Sequence, residues 1–186
     1  MKRPIVIILC MLAFLKIDAQ EKIKSPGLML GYDSILIIRE YARYNNLSTD
    51  EYWLKQSSPG KLIYYCKSSK DKNKENVAHI YDFDAQGVNI KYTTVTTQEK
   101  IKYAVDYFNS LALRRKNVYN FVGVIAENQA VWESNDLETE FTDCNCGNLK
   151  VTVISNLEKD NEIVNNVGVK PGRSGELLAI VYTPKQ

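Results

Sequence analysis

The chain has 186 residues, with 24 basic and 22 acidic side chains, a formal net charge of +2 and a hydrophobic fraction of 45%. Nucleic-acid-binding domains carry a marked basic excess, so this near balance argues against a nucleic-acid partner. The length and the apolar fraction suffice for a domain with a core of its own.

Residues 1–19 carry the three parts of a secretory signal peptide. Lys2 and Arg3 form a short positive start, residues 5–15 are an unbroken apolar run, and Ala19 is a small residue at the expected cleavage position. The run is shorter than the roughly 20 residues of a membrane-spanning helix. We therefore expect cleavage, export to a periplasm or out of the cell, no membrane span afterwards, and a single globular domain over residues 20–186.

The first part of the mature chain predicts two helical segments. Asp33 or Ser34 can cap a helix whose buried side would include Ile35, Ile38 and Tyr41, and an asparagine pair at 45 and 46 would end it. Residues 48–51 indicate a further helical turn that carries the apolar residues 52–54. Residues 57–60 are typical of a loop.

A three-stranded meander follows, with predicted strands at residues 62–67, 77–84 and 88–96. Gly87 lies in the last turn, where a positive φ would suit it. Thr97 then caps the strongest helical pattern of the chain, which extends to Arg115. Four more strands are predicted at residues 119–126, 130–134, 149–155 and 177–182, with a polar loop over residues 156–175. The sequence contains no internal repeat.

These elements predict an α+β fold. We expect one antiparallel sheet of about five to seven strands, one long helix packed on a face of that sheet, and a shorter N-terminal helix.

The mature chain keeps three cysteines, Cys66, Cys144 and Cys146. Export implies an oxidising compartment, so a disulfide between Cys66 and either Cys144 or Cys146 is a candidate cross-link. The alternatives are thiols that stay reduced, or a metal site that uses all three cysteines with His79. The Cys-x-Cys spacing departs from the usual zinc pattern, and we predict no metal and no cofactor.

Two sequence patterns resemble functional sites but lack the features that such sites need. A Cys66–His79 pair would need an exposed, electropositive setting, whereas both residues alternate with core-like neighbours. Asp82, Asp84 and Gly87 resemble the start of a calcium loop, but the twelfth position is Thr93 instead of glutamate. A β-turn explains this segment better. We therefore predict no catalytic residues.

Tyrosine is the commonest aromatic residue, with 12 copies. Tyrosine suits half-buried strands and also binding surfaces, because its ring is rigid and amphipathic. The candidate binding surface comprises Tyr64, Tyr65, Tyr81, Tyr92 and Trp132. Packing in the core is the alternative for about half of these residues.

The segment of residues 30–35, Leu-Gly-Tyr-Asp-Ser-Ile, followed by a helix and an antiparallel meander, resembles the opening of small exported bacterial domains. These are domains related to β-lactamase inhibitory proteins and to outer-membrane assembly lipoproteins. The resemblance covers about residues 28–96 and implies a domain that binds other proteins and does not catalyse. The chain departs from this pattern by lacking a lipid-anchor cysteine and by its second helix and C-terminal strands.

The leading hypothesis is therefore an exported, non-enzymatic domain that binds a protein or another envelope ligand. One alternative is a small exported hydrolase that uses Cys66, His79, Asp82 or Asp84. The other is a carrier of a lipid or small molecule, which would need an apolar cavity beneath the long helix.

Overall fold

The computed structural model describes residues 26–47, 50–68, 77–114, 119–134, 148–157, 162–167, 169 and 175–184. These ranges contain three α-helices: α1 (Ser34–Leu47), α2 (Ile101–Arg114) and α3 (Glu162–Asn166). A short 3-10 turn, Gln98–Lys100, leads into α2. None of the helices in these ranges is both long and apolar enough to cross a membrane. The predicted signal peptide and the cysteines at 144 and 146 lie outside the described residues.

Eight strands in the described ranges form one antiparallel sheet in the order β1-β2-β3-β4-β8-β7-β6-β5. Their bounds are β1 Asp50–Ser58, β2 Lys61–Ser68, β3 Val77–Phe83, β4 Asn89–Thr97, β5 Tyr119–Ala126, β6 Gln129–Ser134, β7 Leu149–Leu157 and β8 Leu177–Pro184. The α+β class and the antiparallel sheet were predicted correctly. The sheet is larger than the expected five to seven strands because β1 was taken for a helical turn and a loop.

The topology consists of two similar halves. In each half a helix precedes a four-stranded meander: α1 precedes β1 to β4, and α2 precedes β5 to β8. The fourth strands of the two meanders pair at the centre of the sheet, where Tyr92 lies opposite Tyr182 and Val95 opposite Ala179. This arrangement relates the halves by an approximate two-fold axis in topology, which the sequence does not reveal through any repeat.

Both long helices pack on the same face of the sheet. Ile37 and Tyr41 of α1 and Ala104 and Phe108 of α2 belong to one apolar core with strand residues such as Tyr81. Asp33 caps α1, since its Oδ1 accepts a hydrogen bond from the Leu36 N–H at 2.8 Å. At the start of the second helical segment the expected cap is absent, because the Thr97 side chain makes no capping hydrogen bond.

The orientation of α1 differs from the expectation. Ile37, Tyr41 and Tyr44, spaced by four and three residues, form its buried side. Ile35 and Ile38 are exposed. Ile37 and Tyr44 thus take the places expected for Ile35 and Ile38, whereas Tyr41 is buried as expected. The two long helices also have equal lengths of 14 residues, so the N-terminal helix is not the shorter one.

The opposite face of the sheet has its own smaller core. Ile63, Ala78, Ile80, Val95 and Ala179 are buried there. Part of the cover comes from α3 and the residues after it, since Ile163, Val164, Val167 and Val169 pack against this core. The sequence had predicted only a polar loop between β7 and β8. The short apolar segment in α3 was too brief to give a helical period.

Candidate functional site

A buried cluster of phenol and imidazole groups lies between α1 and the sheet. The Tyr41 hydroxyl lies 2.7 Å from His79 Nδ1 and 2.7 Å from the Tyr81 hydroxyl, and the Tyr81 hydroxyl donates to the Gly27 carbonyl at 2.8 Å. A carbonyl only accepts, so the Tyr81 hydroxyl uses its single proton there and accepts a hydrogen bond from the Tyr41 hydroxyl. Tyr41 must then accept from His79. The chain of hydrogen bonds therefore has one direction, and it fixes His79 as the Nδ1–H tautomer.

Burial determines the charge state of this cluster. His79 is 7% exposed, and desolvation lowers its pKa to about 4. Burial also raises the pKa of Tyr64 to about 12 and raises that of Tyr41 well above its usual value. At neutral pH the whole cluster is neutral. A general base works best with a pKa near the operating pH, so the cluster is suited to holding the fold and not to proton transfer.

An aromatic row crosses the helix-covered face from β1 to β5. Successive ring centroids lie between 5.1 and 6.3 Å apart. In order, the rings are Tyr52, Tyr41, Tyr81, Tyr92, Tyr182, Phe108, Trp132 and Phe121. The row is buried along its middle and ends at Phe121, which is half-exposed on β5.

This packing contradicts most of the predicted binding surface, because four of its five residues are buried. Tyr64, Tyr81, Tyr92 and Trp132 are buried in the core beneath the helices, where no partner can reach them. Trp132 donates its indole N–H to Asn109 of α2 at 3.2 Å. Tyr65 lies on the opposite face, half-buried, and pairs across the strands with Trp53. The tyrosines mainly serve the core, so an interaction surface has to be sought elsewhere.

The structure sets Cys66 and His79 on the same face of β2 and β3 but not opposite each other. His79 pairs with Tyr64 across β2 and β3, whereas Cys66 pairs with Val77. Cys66 therefore lies two residues along β2 from Tyr64, which is the residue opposite His79. The candidate disulfide of Cys66 with Cys144 or Cys146 stays a prediction, since both partners lie outside the described residues. Within the described ranges, no three histidine, cysteine or acidic side chains come together as a metal site.

The segment that resembled a calcium loop is a turn, as expected. Asp84 Oδ1 accepts hydrogen bonds from the N–H groups of Gln86 and Val88, both at 2.9 Å. Gly87 has a φ of 79°. The Asp84 carboxylate is thus engaged in its own turn, which is a common use of aspartate at such positions.

A small pocket opens on the face away from α1 and α2. Its volume is about 110 Å³, well below the roughly 300 to 1,000 Å³ of typical small-molecule sites. Its charged groups pair with one another, because Asp82 lies 3.4 Å from Lys61 Nζ and 2.9 Å from Lys91 Nζ. The remaining lining residues are Ile63, Ile80, Thr93, Ile163 and Val181. The pocket lacks the volume for a lipid, and it does not lie where a carrier cavity was expected.

The most unusual surface of the described residues is the edge strand β5. Four large apolar side chains are exposed there: Phe121 by 51%, Val122 by 53%, Val124 by 67% and Ile125 by 58%. The register with β6 shifts twice, between Phe121 and Gly123 and between Val124 and Ala126. Val122 and Ile125 are therefore bulge residues without a partner on β6. The strand sequence, Tyr-Asn-Phe-Val-Gly-Val-Ile-Ala, contains no charged residue.

The two edges of the sheet differ in sequence. The other edge, β1, reads Asp-Glu-Tyr-Trp-Leu-Lys-Gln-Ser-Ser and carries three charged residues. Charged residues are a common protection of an edge strand against pairing with another chain. β5 has no such protection. The sequence predicted a strand over residues 119–126 but assigned no function to its side chains. The available signal was an uncharged strand with apolar residues on both sides.

Comparisons with protein-family models, with curated proteins and with solved structures found no match for this chain.

Proposed function

We propose that the chain is an exported binding domain that engages a protein partner by strand addition at β5. The observation that carries the proposal is the uncharged edge strand with four exposed apolar side chains, Phe121, Val122, Val124 and Ile125. An edge strand presents unpaired main-chain N–H and C=O groups on its outer side. A partner strand can satisfy them, while pockets on that partner receive the side chains.

The location of the exposed apolar surface supports this use. Isolated apolar residues on a surface are ordinary, but contiguous ones mark interaction sites. Here they occupy consecutive positions of one strand, interrupted only by Gly123. Phe121 is also anchored from below, because its ring lies 5.3 Å from that of the buried Trp132. An anchored aromatic side chain at an interface loses little conformational freedom on binding.

The export part of the proposal rests on the N-terminal sequence. Lys2 and Arg3, the apolar run of residues 5–15 and Ala19 have the order of a cleavable signal peptide. Exported proteins meet many other envelope proteins, and strand addition is a common recognition mode among proteins with exposed sheet edges.

The hydrolase and carrier alternatives receive no comparable support. His79 is buried with its Nδ1 committed to Tyr41, and Asp82 is bridged by two lysines. Asp84 accepts the hydrogen bonds of its own turn. These side chains, which a hydrolase would need, are occupied in roles that support the fold.

The test is affinity capture by the tagged mature chain from its own envelope fraction. We compare the wild type with V124K, which puts a charge on β5, and with the matched control L54K, which does the same on β1. Leu54 is also about half-exposed on an edge strand. We expect wild type and L54K to retain the same partner and V124K to lose it, with all three chains folded by circular dichroism. Retention of that partner by V124K would refute the proposal.

A further inference from the structure

We infer that the partner at β5 is a second copy of this chain, bound so that the two β5 strands pair antiparallel about a two-fold axis. The inference rests on the proposed function and names its partner. In such an isologous contact the same patch of each copy meets, so every residue of β5 must be compatible with the β5 residue that faces it in the other copy. A strand with like charges at positions that face each other across the axis would place them close together.

The absence of charge makes β5 compatible with self-pairing in any register. β5 contains no charged residue, so a second copy meets only neutral side chains. β1 carries Asp50, Glu51 and Lys55. The chain as a whole has a formal net charge of only +2, so long-range repulsion between two copies is small.

The fold already joins two halves in the way that we propose for two copies. At the centre of the sheet β4 and β8, the equivalent strands of the two helix-and-meander halves, pair antiparallel over six residue pairs from Tyr92↔Tyr182 to Thr97↔Leu177. The β5 strands of two copies would meet edge to edge in the same antiparallel sense, although β5 has two bulges on its β6 side and the β4–β8 pairing has none. The glycine in the middle of the strand, Gly123, leaves space for a neighbouring backbone, since a Cβ there would meet nothing within 4 Å.

The exposed area is consistent with a dimer. The exposed parts of Phe121, Val122, Val124 and Ile125 amount to roughly 400 Å² per copy, within the range of the largest apolar patch on a typical monomer, which is often functional. Pairing would bury part of this area in each copy, so the contact lies below the roughly 1,000 Å² of a stable interface and fits a weak, reversible dimer.

The assembly would stop at two copies. Pairing uses up both β5 edges and leaves only the two β1 edges, whose charged residues disfavour further addition. An isologous contact is also closed by its symmetry, unlike a head-to-tail contact that grows into fibres. A dimer would thus cover the edge strand of the sheet that carries no charged residue.

The test is sedimentation equilibrium of the mature chain from roughly micromolar to roughly hundred-micromolar concentration. We expect a reversible monomer–dimer equilibrium for the wild type, for V124T and for the edge control L54K. In V124K two lysines replace two exposed apolar side chains of the contact, so we expect dimerisation to weaken by about fivefold for a like-charge repulsion of about 1 kcal/mol. A mixture of V124K with V124E should dimerise more tightly than either variant alone. Hydrogen exchange should show that the β5 amides that face away from β6 are protected only at the higher concentrations.

The outcomes distinguish this inference from the proposed function. A wild type that stays monomeric, combined with loss of an envelope partner by V124K, would overturn the second copy as occupant and leave strand addition standing. A wild-type dimer that V124K leaves intact would mean that copies meet at another surface, which also overturns the inference. If V124K changes neither dimerisation nor capture, both proposals fail.

Discussion

The hydroxyl groups of Tyr41 and Tyr81 lie 2.7 Å apart in the core, although Tyr41 belongs to α1 and Tyr81 to β3. This bond is the middle step of the chain that leads from His79 to the Gly27 carbonyl. It connects the N-terminal strap, residues 26–30, to the first helix and to the sheet. The Tyr41 ring also stacks on the Tyr64 ring with a centroid distance of 3.7 Å, so Tyr41 combines packing and hydrogen bonding in one side chain.

We predict that Tyr41→Phe destabilises the protein by about 1 to 3 kcal/mol, because it removes one hydroxyl and leaves the His79 N–H and the Tyr81 oxygen without their partner. The ring and its stacking on Tyr64 stay in place, so the loss measures the hydrogen bonds. Urea unfolding followed by circular dichroism gives the free energy of unfolding.

Tyr44→Phe is the matched control for this change. Tyr44 is also buried on α1 and packs edge-on against Tyr52, but no hydrogen bond of its hydroxyl occurs among the described residues. We expect its free energy of unfolding to change by less than about 0.5 kcal/mol. Equal effects of the two variants would show that the directional chain contributes nothing to stability.

His79 should make the stability of the protein depend on pH. Its pKa is about 4 in the folded protein, against 6.5 for an unperturbed histidine. Between these values the unfolded chain binds more protons than the folded chain, so stability rises with pH. The contribution is complete above about pH 6.5 and is lost as the pH falls toward 4, by about 3 kcal/mol in total.

His79 is the only histidine in the chain, which makes the measurement simple. Its ring resonances in an NMR titration should stay those of the neutral Nδ1–H tautomer from pH 7 to pH 5. Urea unfolding between pH 7 and pH 5 should show a slope in the wild type that His79→Gln removes. A His79 resonance that titrates near pH 6.5 would contradict both the burial and the tautomer.

The sequence predicted best those elements whose signal is local. The turn at residues 84–87 was identified from aspartate and glycine, and α2 from the spacing of Ile101, Ala104, Val105 and Phe108. Both depend on side-chain spacing or turn chemistry over a few residues, which single-sequence patterns capture well.

The sequence failed where contacts between distant segments decide the outcome. Tyr52 is the buried side chain of β1, while Trp53 and Leu54 are about half-exposed, so this edge strand has little alternation to detect. The role of the tyrosines follows from the Tyr41, His79 and Tyr81 contacts between residues about 40 positions apart in the chain. The position of β5 at an edge depends on the order of all eight strands, which no local pattern contains.

We predict that Asn89→Asp destabilises the protein more than Asn89→Ala. The Asn89 amide donates to the carbonyls of Leu28 at 3.1 Å and Met29 at 2.9 Å, and so holds the N-terminal strap against β4. Alanine loses two donors, at a cost of about 2 kcal/mol, whereas a buried carboxylate would also repel both carbonyls. Urea unfolding gives the order of the two variants.

Hydrogen exchange locates the effect of the Asn89 variants. The Gly31 N–H donates to the Asn89 carbonyl at 2.8 Å, so loss of the strap should speed exchange at Gly31 before the centre of the sheet is affected. If Gly31 exchanges at the wild-type rate in both variants, the amide does not hold the strap.

Gly87 has a φ of 79°, which lies in the left-handed region that L side chains rarely adopt. A Cβ at this position would meet nothing within 4 Å, so the effect of a substitution is conformational and not steric. We expect Gly87→Ala to lower the free energy of unfolding by about 1 kcal/mol, and Gly87→Asn to cost less, because asparagine tolerates this region.

Gly60, in the turn between β1 and β2, is the matched control. A Cβ there also meets nothing within 4 Å, but its φ lies outside the left-handed region. Gly60→Ala should therefore leave stability unchanged or raise it by up to about 1 kcal/mol, since alanine reduces the freedom of the unfolded chain. The opposite signs of the two glycine-to-alanine changes, measured by urea unfolding, would establish backbone conformation as the cause. A Gly87→Ala variant as stable as Gly60→Ala would show that this turn does not require glycine.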